Sequence, residues 1–286
     1  MISDITLGQY FPGFSPIHRL DPRTKILLAI LFIVAVFLAA NPASFIILLL
    51  LTVILVFVSR ISLKVVLKSI KPLIFILIFT SLINLFLTTG EGEPLFELWK
   101  IRVYLDGIIR AVFMSARVVV LIVGTSMLLT YTTSPIALTD GLESLLKPLK
   151  YIGVPVHVFA MMMTIALRFI PTLVEETEKI MNAQKSRGAD FSSGGLISRA
   201  KALIPLLVPL FVSSFKRAEE LATAMECRCY RGDNNRTKYK ELKFRLLDFG
   251  WFFIALVVFA SVIVLKIVPY QYDISHIFYD IMFYRI

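Results

Sequence analysis

Two arginines in matching settings are the residues of this chain best placed to do chemistry. Arg187 sits in Ala183-Gln-Lys-Ser-Arg-Gly-Ala-Asp-Phe191, and Arg228 in Ala224-Met-Glu-Cys-Arg-Cys-Tyr-Arg-Gly232. Each ends a mixed apolar and charged run that reads as helix, and each precedes a polar break. A guanidinium is a planar fork that can make two parallel bonds to a carboxylate, and it keeps its charge inside a groove. A cation at a helix end also suits the negative pole of the helix. Docking of a partner and capping of the two helices therefore both fit, and residue types alone weigh them evenly.

A second pair, Arg110 and Arg117, lies seven residues apart on one face of an apolar helix. Charge at membrane depth is costly unless paired or wet, so this face should look into protein. It either braces the bundle or meets another membrane subunit, and both roles stay open. Asp106, one turn earlier, could pair with Arg110.

Other chemistry finds few candidates. Cys227 and Cys229 are the sole cysteines, too few for a disulfide framework or a zinc site. They are expected as small, half-buried residues flanking Arg228. His18, His157 and His276 are far apart in sequence. No phosphate-binding Gly-x-x-x-x-Gly-Lys-Ser/Thr, no His-Glu-x-x-His and no Gly-x-Ser-x-Gly occurs. No catalytic, cofactor or metal site is expected. The apolar runs hold no carboxylates, which argues against a self-sufficient proton- or sodium-coupled carrier.

The elements that position the arginines are set by hydrophobicity. Of 286 residues, 57% are apolar, and the mean hydropathy is +0.80, which puts the chain in the polytopic membrane class. The formal charge of +10 fits cations gathered on the cytoplasmic side better than a nucleic-acid surface. Membrane spans are expected at residues 26–40, 44–58, 72–87, 107–130 and 249–268. After the second span comes a basic loop (Arg60, Lys64, Lys68, Lys71), and after the third an acidic one (Glu91, Glu93, Glu97, Asp106). The positive-inside rule then puts the N-terminus in the cytoplasm and the C-terminus outside. Asp21-Pro22 is a helix start, a capping carboxylate followed by a proline at the first helical position.

Residues 131–247 are too polar for a bilayer and too apolar for a soluble loop. A helix over 135–150 should lie flat on the membrane. One long arm, 154–187, bends at Pro171; another, interrupted by Pro205 and Pro209, ends at Arg228; a turn at 192–195 joins them. The expected organisation is a four-span region at 1–130, a cytoplasmic coupling-helix region at 131–247, and a last span with an interfacial tail at 248–286. The fold class is an all-α polytopic membrane protein, about five transmembrane helices plus long cytoplasmic coupling helices.

Several stretches carry a family resemblance: Gly8-Gln-Tyr followed by Ser15-Pro-Ile-His-Arg-Leu-Asp-Pro-Arg-Thr-Lys25, Leu128-Leu-Thr-Tyr-Thr-Thr-Ser-Pro135, Ala166-Leu-Arg-Phe-Ile-Pro171 and both arginine tips. In this order, over nearly the whole chain, they resemble the transmembrane T component of energy-coupling factor (ECF) transporters of the shared-module type. The resemblance implies two long cytoplasmic helices ending in Ala-Arg-Gly-like tripeptides, which dock into two ABC-type ATPases and connect them to a substrate-binding membrane S component. Ser186-Arg187-Gly188 and Cys227-Arg228-Cys229 are the implied tripeptides; the second departs at both flanks. The implied protein is a non-catalytic importer subunit without cofactors in a bacterial cell membrane. Its partners would be two ATPases, the S component and the bilayer, with no nucleic acid, and its cargo vitamins or related micronutrients. Alternatives are a cobalt- or nickel-dedicated T component, a secondary carrier, a membrane-embedded transferase or protease, and a recruiting scaffold.

Overall fold

The computed structural model describes residues 10–39, 41–87, 96–98, 101–189, 191, 195–232 and 242–267. These form two compact units: residues 10–134 with 242–267, and residues 135–232. The architecture is all-α and polytopic, with a small antiparallel ribbon of β1 (Phe96–Leu98) and β2 (Ile101–Val103) in one loop.

The first unit contains α1 (Pro22–Leu38), α2 (Pro42–Ser59), α3 (Leu63–Ile70), α4 (Ile74–Leu87), α5 (Leu105–Thr125) and α9 (Leu246–Ile267). Helix α1 starts as its sequence dictates: Pro22 is at the first position, and the Asp21 carboxylate accepts from the Arg23 amide at 2.9 Å. Asn41, ahead of α2, donates through Nδ2 to the Leu265 carbonyl at 2.6 Å, satisfying a backbone acceptor near the end of α9. Leu28, Phe32, Val36, Leu48, Leu55, Val123, Met127 and Val262 make the core. Gly124 permits the closest approach in it, since a Cβ there would stand 2.3 Å from the Phe32 ring. Apolar side chains also cover the outside: Phe37, Phe57 and Phe75 are 68%, 71% and 78% exposed. A surface of this kind fits lipid rather than water.

A polar knot ties α1, α9 and the end of α5 together. Lys25 is 1% exposed, and its Nζ donates to the Thr132 carbonyl at 2.7 Å and to Thr133 Oγ1 at 3.1 Å. The Asp248 carboxylate accepts from the Asp21 amide at 2.8 Å and the Arg245 amide at 2.6 Å. A buried charge is tolerated only with such partners. Helix α5 passes into one π turn, Ser126–Thr130, and Tyr131 behind it accepts the Phe11 amide at 3.1 Å. His18 holds the same lead segment: Nε2 meets the Phe11 carbonyl at 2.9 Å and Nδ1 meets Ser15 Oγ at 2.6 Å. A carbonyl can only accept, so Nε2 carries the proton and Nδ1 accepts from Ser15. Burial pushes the imidazole below its ordinary value; the Phe11 bond opposes this and Lys25 adds to it.

Among the described residues, five helical stretches are long and apolar enough to cross a membrane: Pro42–Ser59, Leu63–Leu87, Gly107–Thr130, Val156–Ser186 and Leu246–Ile267. This set differs from the sequence expectation at both ends of the length scale. Helix α1, with 17 residues, is about 25 Å long, at the short limit for spanning. The 31-residue helix beginning at Val156 qualifies through its apolar first half. The basic loop after α2 is also not a loop. Leu63, Val66, Leu67 and Ile70 recur at helical spacing and form α3, which continues through a 3-10 turn, Lys71–Leu73, into α4.

The second unit holds α6 (Pro135–Leu146), a 3-10 segment (Lys147–Ile152), α7 (Val156–Ser186) and α8 (Leu196–Cys227). Gly153, at φ 86°, makes the left-handed step that turns the chain into α7. Glu143 of α6 and His157 of α7 are 3.0 Å apart. Pro205 and Pro209 do not interrupt the second arm: α8 runs through both, as α7 runs through Pro171. Most of the expected turn at 192–195, residues 233–241 of the coupling region and the interfacial tail beyond residue 267 lie outside the described residues.

Candidate docking site

Both arginines occupy the same position of the same local structure. Arg187 follows the last residue of α7 with φ −89° and ψ 7°, and Arg228 follows the last residue of α8 with φ −91° and ψ 16°. The next residue is left-handed in each: Gly188 at φ 87° and Cys229 at φ 55°. Gly188 N donates to Lys185 O at 3.0 Å and Ala189 N to Gln184 O at 3.0 Å; Cys229 N donates to Glu226 O at 2.8 Å and Tyr230 N to Met225 O at 3.0 Å. These paired bonds are the Schellman closure of a helix C-terminus.

The closure decides what the arginines are free to do. Backbone amides reach the Gln184, Lys185, Met225 and Glu226 carbonyls, and neither guanidinium takes part in these closures. Both arginines are exposed, as are Ser186, Gly188, Cys227 and Cys229. Among the described residues neither guanidinium makes a hydrogen bond or ion pair. The cysteines were expected half-buried, and both are exposed. Cys229 stands where Gly188 stands in the first tip, so the unusual flank preserves the backbone shape at a steric cost of about 1 kcal/mol.

The arms are joined away from their tips. Glu176 of α7 accepts from Arg217 Nη2 of α8 at 2.6 Å, and from the Ser213 hydroxyl. Glu176 lies eleven residues before Arg187, and Arg217 eleven before Arg228. At 1.5 Å per residue, each tip therefore extends about 16 Å beyond the pin. Sequence reasoning missed this pair, although the equal spacing of opposite charges from the two arginines was a usable signal. The apolar base of α8 exposes Ile204, Leu207, Val208, Phe211 and Phe215.

Arg110 and Arg117 are not alike. Arg117 Nη2 donates to the Ala39 carbonyl at 2.7 Å and so closes the end of α1, while its buried Nε has no partner among the described residues. Arg110 is exposed on α5. The expected Asp106–Arg110 pair lies outside the described residues, because only the backbone of Asp106 is described.

Known proteins resemble the chain in sequence along most of their length. The family model CbiQ, described as a cobalt transport protein, matches residues 13–239. The chain is 56% identical over 250 residues to the energy-coupling factor transporter transmembrane protein EcfT of Clostridium kluyveri, covering 87% of this chain and 92% of the relative. EcfT of Bacillus subtilis is 51% identical over 242 residues, with 85% and 91% covered. EcfT of Lactococcus lactis is 46% identical over 247 residues, with 86% and 92% covered.

Proposed function

The chain belongs to the CbiQ family as a transmembrane component of the ECF transporter type, and from that membership we propose that it couples two ATPases to a substrate-binding membrane subunit. The observation that carries this is the pair of exposed arginines whose helix ends are already closed by backbone bonds. Ser186-Arg187-Gly188 and Cys227-Arg228-Cys229 each enter a groove on one ABC-type ATPase, where the guanidinium forks onto a carboxylate. Movement of the ATPases on binding and hydrolysing ATP displaces the tips. Helices are stiff, and the Glu176–Arg217 pin makes the two arms turn about a shared point, so displacement reaches the apolar base of α8. That base tilts or releases the S component.

The chain itself supplies no catalytic group in this scheme, since hydrolysis belongs to the ATPases. It is a multi-pass membrane protein, and we place it in the cell membrane with its N-terminus, α3 and the coupling arms cytoplasmic and its C-terminus outside. Helix α1 then serves as a span and α7 as an arm, consistent with α1 packing on α5 and α9, and α7 on α6 and α8. Arg110, exposed on α5, is available to a neighbouring membrane subunit.

Vitamins or related micronutrients are the proposed cargo, following the resemblance of the sequence to the shared-module type. Cobalt is the second reading, favoured by the description of the family model. The test is uptake and assembly with Arg187→Ala, Arg228→Ala and the double variant. Uptake should fall by roughly tenfold or more in the double variant, as expected from losing two charge-assisted contacts of ~1.5–3 kcal/mol each. The ATPases should also co-purify less. Normal uptake in the double variant refutes docking through the arginines. Labelled vitamin against labelled cobalt, with the co-purified small subunit identified, separates the two cargoes.

A further inference from the structure

We propose that α3, with Arg60 ahead of it and Lys71 directly after it, forms a binding site for the headgroup of an anionic phospholipid. Successive helical residues are rotated by about 100°, so Lys64, Lys68 and Lys71 fall within one arc of about 60°. All three are exposed. Next to that arc stand Leu63 and Leu67, 61% and 66% exposed. Val66 is buried on the remaining side, where α3 packs on α5. The helix thus has three sectors: one against protein, one apolar and free, one cationic and free. A surface of that kind fits the boundary between acyl chains and headgroups.

Depth agrees with this arrangement. The continuous stretch Leu63–Leu87 has 25 residues, about 37 Å of helix against a hydrocarbon core of about 30 Å. An excess of about 7 Å at its N-terminal end leaves Lys64 outside the hydrocarbon and Lys68 at its edge, and the Lys71 stem is long enough to carry its ammonium back to the headgroups. Charge complementarity identifies the occupant. No Asp or Glu occurs between Asp21 and Glu91, and among the described residues Arg60, Lys64, Lys68 and Lys71 form no ion pair.

Arg60 supplies an independent observation. It is left-handed, at φ 56° and ψ 26°, directly after α2. Glycine takes that conformation without strain, whereas a side chain there is disfavoured. An exposed guanidinium kept at such a position adds a fourth cation at the start of the α3 stripe. The phosphodiester of an anionic lipid accepts hydrogen bonds from these donors, while its acyl chains cover Leu63 and Leu67. The inference depends on membrane embedding and is independent of docking to ATPases.

The experiment is native mass spectrometry of the full-length protein in detergent, titrated with phosphatidylglycerol and, separately, with phosphatidylcholine. Wild type should retain phosphatidylglycerol in preference. The Lys64→Gln, Lys68→Gln, Lys71→Gln triple variant should lower that preference about tenfold or more, and the corresponding Lys→Arg triple should keep it. Leu63→Ser with Leu67→Ser should weaken retention without changing charge. Arg60→Gly removes a cation and relieves the backbone, so it should lower retention while the melting temperature stays at or above wild type. Equal retention of the two lipids by wild type, or an unchanged preference in the glutamine triple, overturns the proposal. Displacement of phosphatidylglycerol by millimolar inorganic phosphate also overturns it, because the site would then be one for a free anion.

Discussion

Breaking the Glu176–Arg217 pin is the most direct test of how the two arms work together. Glu176→Gln keeps the shape of the side chain but removes the charge that Arg217 meets at 2.6 Å. Hydrogen bonds to charged groups contribute about 1.5–3 kcal/mol when shielded, and exposed ion pairs about 0.2–1 kcal/mol. The side chains of Arg217 and Glu176 are 38% and 20% exposed, so solvent screening reduces the shielded value, and about 1 kcal/mol of coupling is expected. A double-mutant cycle with Glu176→Gln and Arg217→Gln, read by SDS-induced unfolding of the full-length protein in mixed micelles, measures that term. Uptake should fall in each single variant while the ATPases still co-purify, because the arginine tips are intact and only the shared pivot is loosened. Coupling below about 0.3 kcal/mol, the usual additivity error, together with normal uptake would refute the pivot.

Three other perturbations follow from particular contacts. Cys229→Gly relaxes a left-handed residue at φ 55° and should stabilise the α8 tip by up to about 1 kcal/mol, seen as slower amide exchange at Tyr230 with docking retained. Gly124→Ala puts a methyl 2.3 Å from the buried Phe32 ring; overpacking of this kind costs about 1–3 kcal/mol, so the melting temperature should drop, and an unchanged one would show that the helices part freely. His18 favours its neutral form in the folded chain. Its contribution is therefore complete above the ordinary histidine value and lost as pH falls through the lowered folded value. Thermal stability should decline on acidification below about pH 6.5, and His18→Gln should flatten that decline.

Much of the candidate site is legible in the amino-acid sequence. The two tips are local structures, and a few residues around Arg187 and Arg228 suffice to suggest helix ends with a free cation. Whether those arginines cap or dock was not legible, because it depends on which donors reach the last carbonyls. Cys229 conceals the second closure, since its side chain gives no hint of a glycine-like φ. The charges of Arg60, Lys64, Lys68 and Lys71 disguise helix α3 as a loop, although the apolar residues between them keep helical spacing.

The sequence by itself determined the all-α membrane class, the start of α1 at Asp21-Pro22, the two arms and their arginine ends. Such features are set within one or two helical turns, by hydrophobic burial and by backbone groups that need a partner nearby. Only the tertiary structure decided that Arg117 closes α1, that Lys25 is buried against Thr132 and Thr133, and that Glu176 pairs with Arg217. It also joined Asp21 to Asp248 across 227 residues of chain. A charged side chain announces that it needs a partner, but the identity of the partner depends on which helix faces pack together. That choice is made by the apolar surfaces of whole helices, and no short stretch of sequence contains it.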